Sequence, residues 1–362
     1  MGWLMIEQIV FENFRGFKKL ELSDLKPIVL ISGKNNAGKS SVLEGIFLFL
    51  DHIVPESFTK VNRFRGLISA GDSSSIWETV FYQMNVENPL RISVTCAGVP
   101  ALLEYVRDTT YTPPVDMNIS QELMGQIISS AKSSYTLKFR YQKEDYTEDG
   151  HFIVGPMGIV RNMITSNKSN MDQVMPFTQF INSAIINNNS DNFIAEWLGR
   201  LELSGRKQHI VEILKFIEPM INDLTTIVVN GTAQIFAKIG SQLLPLRLAG
   251  DGLNKLLFIV LSIAVNPNSI VLIDEIETGF HYSMYSQLWK TVAQTAYENN
   301  CQIIATTHSY ECIVGAVDGV EKAGQNSSFC YYRLDKNAAG NQVYRYSDNL
   351  LQTAIATDME VR

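Results

Sequence analysis

The chain has 362 residues, a net charge of −7 and a pI near 5.4. That length supports one large or two moderate domains with an ample core, and the acidic balance excludes a protein that coats nucleic acid without selectivity, while leaving room for a local basic strip. The four cysteines, Cys96, Cys301, Cys312 and Cys330, have no C-x-x-C spacing and read as reduced, packed thiols rather than metal ligands, which suits a reducing cytoplasm. The first residues alternate like a strand and carry acids, unlike a signal peptide. The strongly apolar run at 256–265 is about ten residues long, too short for a bilayer core of about 30 Å.

In chain order, residues 6–14 and 17–22 are predicted as two short strands around Arg15-Gly16, a hairpin laid beside the strand at 28–31. Arg15 has two readings: it leans over a bound nucleotide, or it is solvated in its turn. Residues 33–40, GKNNAGKS, then open a helix over 40–54 that is apolar on nearly all sides and stops at Pro55. The stretch matches G-x-x-x-x-G-K-[ST] in the strand, loop and helix setting that gives the pattern meaning. Gly33 and Gly38 let the backbone turn inward, so that the N–H groups of the loop Lys34, Asn35, Asn36 and Ala37 and the positive end of the helix surround a phosphate chain. Lys39 reaches the β- and γ-phosphates, and the Ser40 hydroxyl completes the shell of a magnesium ion.

Residues 56–76 are polar and read as a loop with a short helix, leading through 77–83 to a strand near 90–96. Gln83 either senses the magnesium or is a plain surface glutamine. From about 101 to 220 the periodicity is mainly helical, with candidate helices at 118–131, 173–186 and 192–218 and strand-like pieces at 135–141 and 151–154. Arg200, Lys207 and Lys215 in this span read as a solvated helix face rather than a nucleic-acid platform.

The clearest hairpin is 225–229, Asn230-Gly231, 233–239, because Asn-Gly supplies the positive φ angles of a two-residue turn. The stretch LAGDGLNK at 248–255 is a second glycine-bearing loop that opens a helix, 253–265, and exposes its dipole; Asp251 as an ordinary N-cap is the alternative. Residues 269–273 read as a buried parallel strand ending at Asp274-Glu275. Asp274 holds the magnesium directly or through water, and Glu275 orients and deprotonates the attacking water. His281 is read at a subunit contact or as a catalytic group, ahead of an amphipathic helix at 283–299. A second buried strand, 302–305, ends in Thr306-Thr307-His308-Ser309 and brings the His308 imidazole to the same edge. Strands at 329–334 and 342–346 and a helix at 349–358 close the chain.

These residues resemble the ABC-type ATPases of the SMC, RecF and OLD (overcoming lysogenization defect) group, and most closely the stand-alone, AAA-labelled, OLD-like ATPases of bacterial defence loci. The resemblance is carried by VFENFRGFKKLEL, GKNNAGKS, LPLRLAGDGLNKLL, IVLIDEIETGFHYS and QIIATTHSYE, and spans residues 1–95 and 224–362. It implies an α/β fold class: an ABC-type P-loop ATPase head, with a mixed sheet flanked by helices and an antiparallel β subdomain. An N-terminal lobe at 1–100 and a C-terminal lobe at 224–362 would flank a mainly helical insertion at 101–223. By position, Gly33, Asn36, Gly38, Lys39, Ser40 and Ser41 hold ATP, Asp274 supports magnesium, Glu275 is the general base and His308 is the switch histidine near the γ-phosphate. A homodimer or higher homo-oligomer would sandwich two ATP molecules, with the loop Ala249, Gly250, Asp251, Gly252 touching the γ-phosphate of the other subunit. Against the transporter signature LSGGQ, the serine is Ala249, the second glycine Asp251 and the glutamine Gly252, so a hydroxyl contact is lost and Lys255 is left as a substitute charge. That pattern favours slow, assembly-type ATPases.

The OLD nucleases carry a metal-dependent Toprim domain after the ATPase, and the residues that follow His308 are too few for one. The resemblance therefore implies a cytoplasmic ATPase that senses phage infection and controls a separate effector protein, a nuclease or toxin from the same locus, with nucleic acid as a further partner and no membrane. A RecF-like clamp acting directly on DNA is the alternative, and it predicts turnover that DNA stimulates with a steep salt dependence. An ATP-bound scaffold and a transporter subunit are weaker readings: Glu275 speaks against the first and the altered signature against the second.

Overall fold

The computed structural model describes residues 5–52, 54, 57–66, 77–110, 135–155, 158–166, 176–229, 231–337, 340–357, 359 and 361. The chain opens with β1 (Ile6–Phe14) and β2 (Phe17–Ser23), followed by β3 (Ile28–Gly33), α1 (Lys39–Leu50) and α2 (Ser57–Arg63). Next come β4 (Leu90–Cys96), β5 (Val99–Arg107), β6 (Tyr135–Lys143), β7 (Tyr146–Gly155) and β8 (Gly158–Ser166). With β1 and β2 they form a seven-stranded antiparallel sheet in the order β2-β1-β4-β5-β6-β7-β8.

β9 (Thr178–Ile181) then leads into α3 (Ser183–Leu203) and α4 (Lys207–Leu214). A small antiparallel sheet of β10 (Ile221–Val229), β11 (Thr232–Ile239) and β12 (Gln242–Pro245) precedes α5 (Asp251–Val265). The rest alternates: β13 (Ile270–Ile273), α6 (Tyr285–Glu298), β14 (Gln302–Thr306), α7 (Tyr310–Lys322), β15 (Phe329–Asn337), β16 (Gly340–Tyr346) and α8 (Asp348–Ala356).

The central sheet runs β16-β15-β3-β14-β13-β9, parallel from β15 to β9 with β16 antiparallel at one edge. Strands β3, β13 and β14 each carry a short unbroken apolar run because both faces are covered. Val29, Ile31, Ile270, Leu272 and Ile304 enter a core shared with α1 and the antiparallel sheet, while Leu30, Val271, Ile273, Ile303 and Ala305 enter a second core with α3, α5, α6 and α7. Buried Gln302 joins the two sheets: its Oε1 accepts from the Ile6 N–H, and its Nε2 donates to the carbonyls of Ile6 (2.9 Å) and Lys26 (3.0 Å). Because β3, β14 and β13 are parallel neighbours, the loops after them meet at one edge, which is where such sheets bind ligands.

The expected α/β class, with its mixed sheet and antiparallel subdomain, holds. Within the insertion at 101–223 the helical expectation holds for α3 and α4, and the strand-like pieces expected at 135–141 and 151–154 lie in β6 and β7, which extend the antiparallel sheet together with β8; among the described residues the helical expectation fails for β8 and β9. The run TQFI of β9 is too short for periodicity to tell strand from helix. The candidate helix at 118–131 and Asn230 of the hairpin turn lie outside the described residues; the hairpin itself is present, with Val229 opposite Thr232. Helix α7 was not foreseen, although Ser309 caps it by accepting the Cys312 N–H at 3.1 Å. All four cysteines are buried and unpaired. Burial pushes the thiols of Cys312 and Cys330 up to about 12, consistent with inert packing.

Candidate nucleotide site at the edge of the parallel sheet

The loop between β3 and α1 turns on Gly38, whose φ of 103° suits glycine; a Cβ there would stand 2.5 Å from the Phe17 ring. Lys34, Asn35 and Asn36 form the exposed tip, whereas Ala37 is buried and its carbonyl accepts from Asn341 Nδ2 at 2.9 Å. The Lys39 ammonium folds back on the carbonyls of Gly33 (2.6 Å) and Lys34 (3.1 Å). Burial lowers its pKa, opposed by the nearby carboxylates of Asp274, Glu275 and Glu277. The α1 N-terminus has no side-chain cap, so its first amides remain available to an anion.

Two residues 234 positions apart in the chain meet here: the Ser40 hydroxyl donates to Asp274 Oδ1 at 3.0 Å. Thr306, at the end of β14, donates from Oγ1 to the same oxygen at 2.6 Å, and that hydroxyl accepts the Glu275 N–H at 2.9 Å. Glu275 itself is exposed, with a left-handed φ of 50°. Such a conformation costs about 1–2 kcal/mol for a residue with a Cβ, and Thr306 holds it on both sides, since the Ile276 N–H also donates to the Thr306 carbonyl at 3.0 Å. His308 stands beside this edge, its backbone N–H and Nδ1 both on Glu277 Oε1. An uncapped helix N-terminus, a lysine, a hydroxyl and one carboxylate oxygen on the same point fit a magnesium polyphosphate, because magnesium takes few protein ligands and keeps phosphate and water oxygens. Among the described residues there is no cluster of three acids, histidines or cysteines that would demand another metal.

The other expected site residues lie elsewhere. Arg15 is not solvated: its side chain is buried, with Nε on Glu44 Oε2 at 2.9 Å and an Nη on the carbonyl and hydroxyl of Thr79 at 3.2 Å each. The other Nη is buried without a partner. Glu44 is shared with Arg65, whose Nη2 also donates to Ser41 Oγ at 2.9 Å. Exposed Gln83, at φ 52°, approaches Tyr82 Oη at 3.4 Å and makes no described contact with Ser40 or Asp274.

In the loop at 249–252, Gly250 rather than Asp251 is the N-cap of α5; Gly250 and Asp251 are exposed, and Ala249 and Gly252 half-buried. Lys255 is not free to act as a substitute charge across an interface. It is buried, donating to the carbonyls of Glu275 (2.6 Å) and Thr278 (3.1 Å) of its own chain. His281 is exposed, with Nδ1 2.9 Å from Ser283 Oγ. Arg200, Lys207 and Lys215 are paired with Glu196, with Glu202 and Asp223, and with Glu212, as a solvated helix face would be.

Sequence reasoning assigned no role to Thr306, Glu277 or Arg65. The first two were findable, as a hydroxyl and an acid at the ends of the strands that carry His308 and Asp274. No local signal points to Arg65.

A family model described as "AAA ATPase domain" matches residues 5–151 and 72–313. The chain belongs to the AAA ATPase domain family. A Helicobacter pylori protein named "ATP/GTP phosphatase" is 23% identical over 372 residues, covering 95% of this chain and 98% of that protein. In fold, this family member is similar to an SMC head bound to the C-terminal winged-helix domain of ScpA, with a TM-score of 0.52, 14% identity, and 94% and 98% of the two chains covered. A Pyrococcus furiosus SMC head with an extended coiled coil, bound to the C-terminal domain of ScpA, gives a TM-score of 0.50 at 13% identity and covers 98% of this chain and 99% of its own. The architecture is thus that of an SMC-type ATPase head. Among the described residues no helix is long and apolar enough to cross a membrane.

Proposed function

We propose that this protein binds and hydrolyses ATP with magnesium in the cytoplasm, closes into a dimer or larger assembly when ATP is bound, and through that assembly senses phage infection and controls a separate effector protein. The observation that carries the ATPase reading is the convergence of Ser40, Asp274, Thr306 and Glu275 beside Lys39. In this reading the Lys39 ammonium leaves the loop carbonyls for the terminal phosphates, while Ser40 and Asp274 hold magnesium. Magnesium, when bound, neutralises charge on the phosphate oxygens. Glu275 takes a proton from the attacking water, and Thr306 fixes the backbone that carries it. The exposed loop at 249–252 offers the amides of α5 to the nucleotide of a second copy.

The effector part of the reading is supported by two things. The ATPase motifs resemble those of OLD-like defence ATPases, and SMC heads of similar fold are solved with a separate protein, ScpA, bound to them. The deciding experiment expresses the protein with its neighbouring genes and measures solution mass with and without ATP and magnesium, followed by mass spectrometry of what copurifies. A stable complex with a nuclease or toxin supports control of an effector. A bare ATP-dependent dimer whose turnover rises on DNA, steeply reduced by salt, favours a RecF-like clamp. A protein that neither binds ATP nor assembles ends the proposal.

A further inference from the structure

Glu277 lies in the turn after β13 and His308 just beyond β14, so adjacent parallel strands hold the two side by side. A single oxygen, Glu277 Oε1, meets the His308 backbone N–H at 2.9 Å and the ring Nδ1 at 3.0 Å. The Glu277 side chain is 6% exposed and that of His308 49%, so the acid is the fixed partner and the ring reaches toward the open edge. An ionised carboxylate only accepts, so Nδ1 carries the proton and Nε2 is left for another contact.

The second carboxylate oxygen, Oε2, is buried with no hydrogen-bond partner. Holding one backbone N–H does not need a buried charge, and leaving half of a carboxylate unpaired is costly. The surrounding turn is nonetheless built to keep it: Lys255 Nζ grips the carbonyls of Glu275 and Thr278, on either side of residue 277. A buried acid with one oxygen left over, one contact away from an exposed imidazole, is the arrangement of a carboxylate that orients a histidine.

The geometry points to Glu277 as a positioning residue that holds Nδ1 as a donor and sets the direction of the His308 ring, so that Nε2 faces the terminal phosphate; there Nε2 takes a proton from solvent and donates to a phosphate oxygen, the imidazolium standing between that anion and the Glu277 carboxylate. This rests on the reading of His308 as the switch histidine. Glu277 does not touch the nucleotide; it acts through the ring, as the carboxylate partners of other functional histidines do.

The test combines two readouts on the full-length protein. Nitrogen-15 spectra of the imidazole rings are recorded without nucleotide, well above the ordinary histidine pKa, with the His308 signals assigned by their loss in His308→Gln. ATP turnover is measured on the same proteins. The wild type is expected to show a protonated Nδ1 and a bare Nε2 at His308. Glu277→Ala is expected to put the ring into exchange between tautomers and to lower kcat about tenfold, with KM changed less than about twofold. Glu277→Gln keeps an acceptor oxygen, and is expected to hold the tautomer and rescue most of kcat. A wild-type ring protonated on Nε2 overturns the proposal without any variant, and so does a folded Glu277→Ala protein with unchanged ring signals. His308→Gln turning over ATP at the wild-type rate overturns the switch reading instead, a failure the ring spectra distinguish from a failure of positioning.

Discussion

Two helices of this molecule, α1 and α5, begin in the same way and end up in different surroundings. Each starts at a glycine with a positive φ, 103° at Gly38 and 109° at Gly250, and neither has a side-chain cap. Gly38 rests on the Phe17 ring, while the helix it opens carries Ser40 to Asp274 and Lys39 to the carbonyls of Gly33 and Lys34. Nothing lies within 4 Å of a Cβ built on Gly250, and Asp251 beside it is exposed. A glycine turn at a helix N-terminus is therefore only half of an anion site. Parallel strands from far along the chain deliver an acid and a hydroxyl to the first, whereas the second faces outward, and in the proposed assembly a second copy would meet it.

The largest test of that contrast is Lys39→Ala. Loss of this buried cation on the phosphate loop should lower affinity for a fluorescent ATP analogue by about 100-fold or more, with the fold intact by circular dichroism. Binding at wild-type affinity would break the claim that this edge is the nucleotide site. Glu275→Gln should leave binding in place and reduce turnover by about 10²–10⁴-fold, and should trap the ATP-bound assembly seen by light scattering. Full turnover in that variant would remove Glu275 as the base.

Lys255 ties the two regions together, since it rises from α5 to the carbonyls of Glu275 and Thr278. Burial pushes its pKa down from 10.5 to about 8, against the raising pull of Glu277, Glu275 and Asp274. Between those values the unfolded chain holds more protons than the folded one, so this group adds stability as pH rises through the window and carries its full deficit below about 8. The difference corresponds to about 3 kcal/mol. Urea unfolding of the wild type and of Lys255→Met at both ends of the window should show that rise in the wild type and not in the variant. Tyrosines and thiols that titrate in the same range are common to both proteins and cancel. Parallel pH curves would mean that Lys255 is not buried as a cation and that the tie between the two regions is absent.

The meeting of Ser40 with Asp274 beside His308 was legible in the sequence because its signals are local: GKNNAGKS follows an apolar run, and Asp274 and His308 each end one. Parallel strands buried on both faces announce themselves as apolar runs, and their shared direction puts their ends together. The surroundings of Arg15 were not legible, because its burial depends on Glu44 and Thr79 arriving from different elements. The same holds for Lys255, which a heptapeptide of sequence shows only as a charge near a helix start. Of the antiparallel strands β6 to β8, the first two show in the sequence only as strand-like interruptions of a helical span and β8 does not show at all, because the successive pairing of β5, β6, β7 and β8 is visible only in three dimensions.

The smallest predicted effect probes how the outward-facing loop is seated. A Cβ added at Gly252 would lie 2.6 Å from the Gly279 carbonyl oxygen and 3.4 Å from the Phe280 ring, and the first of these contacts is with backbone that cannot swing aside. Gly252→Ala should therefore push the α5 N-terminus away from the turn that follows Glu275, costing about 1–3 kcal/mol by urea unfolding, as overpacking does. The phosphate loop is attached to other strands, so binding of the ATP analogue to the monomer should stay within about twofold of wild type while ATP-dependent assembly weakens. Loss of nucleotide affinity matching the loss of stability would show that the two helix starts are one cooperative unit, and the contrast between them would fall.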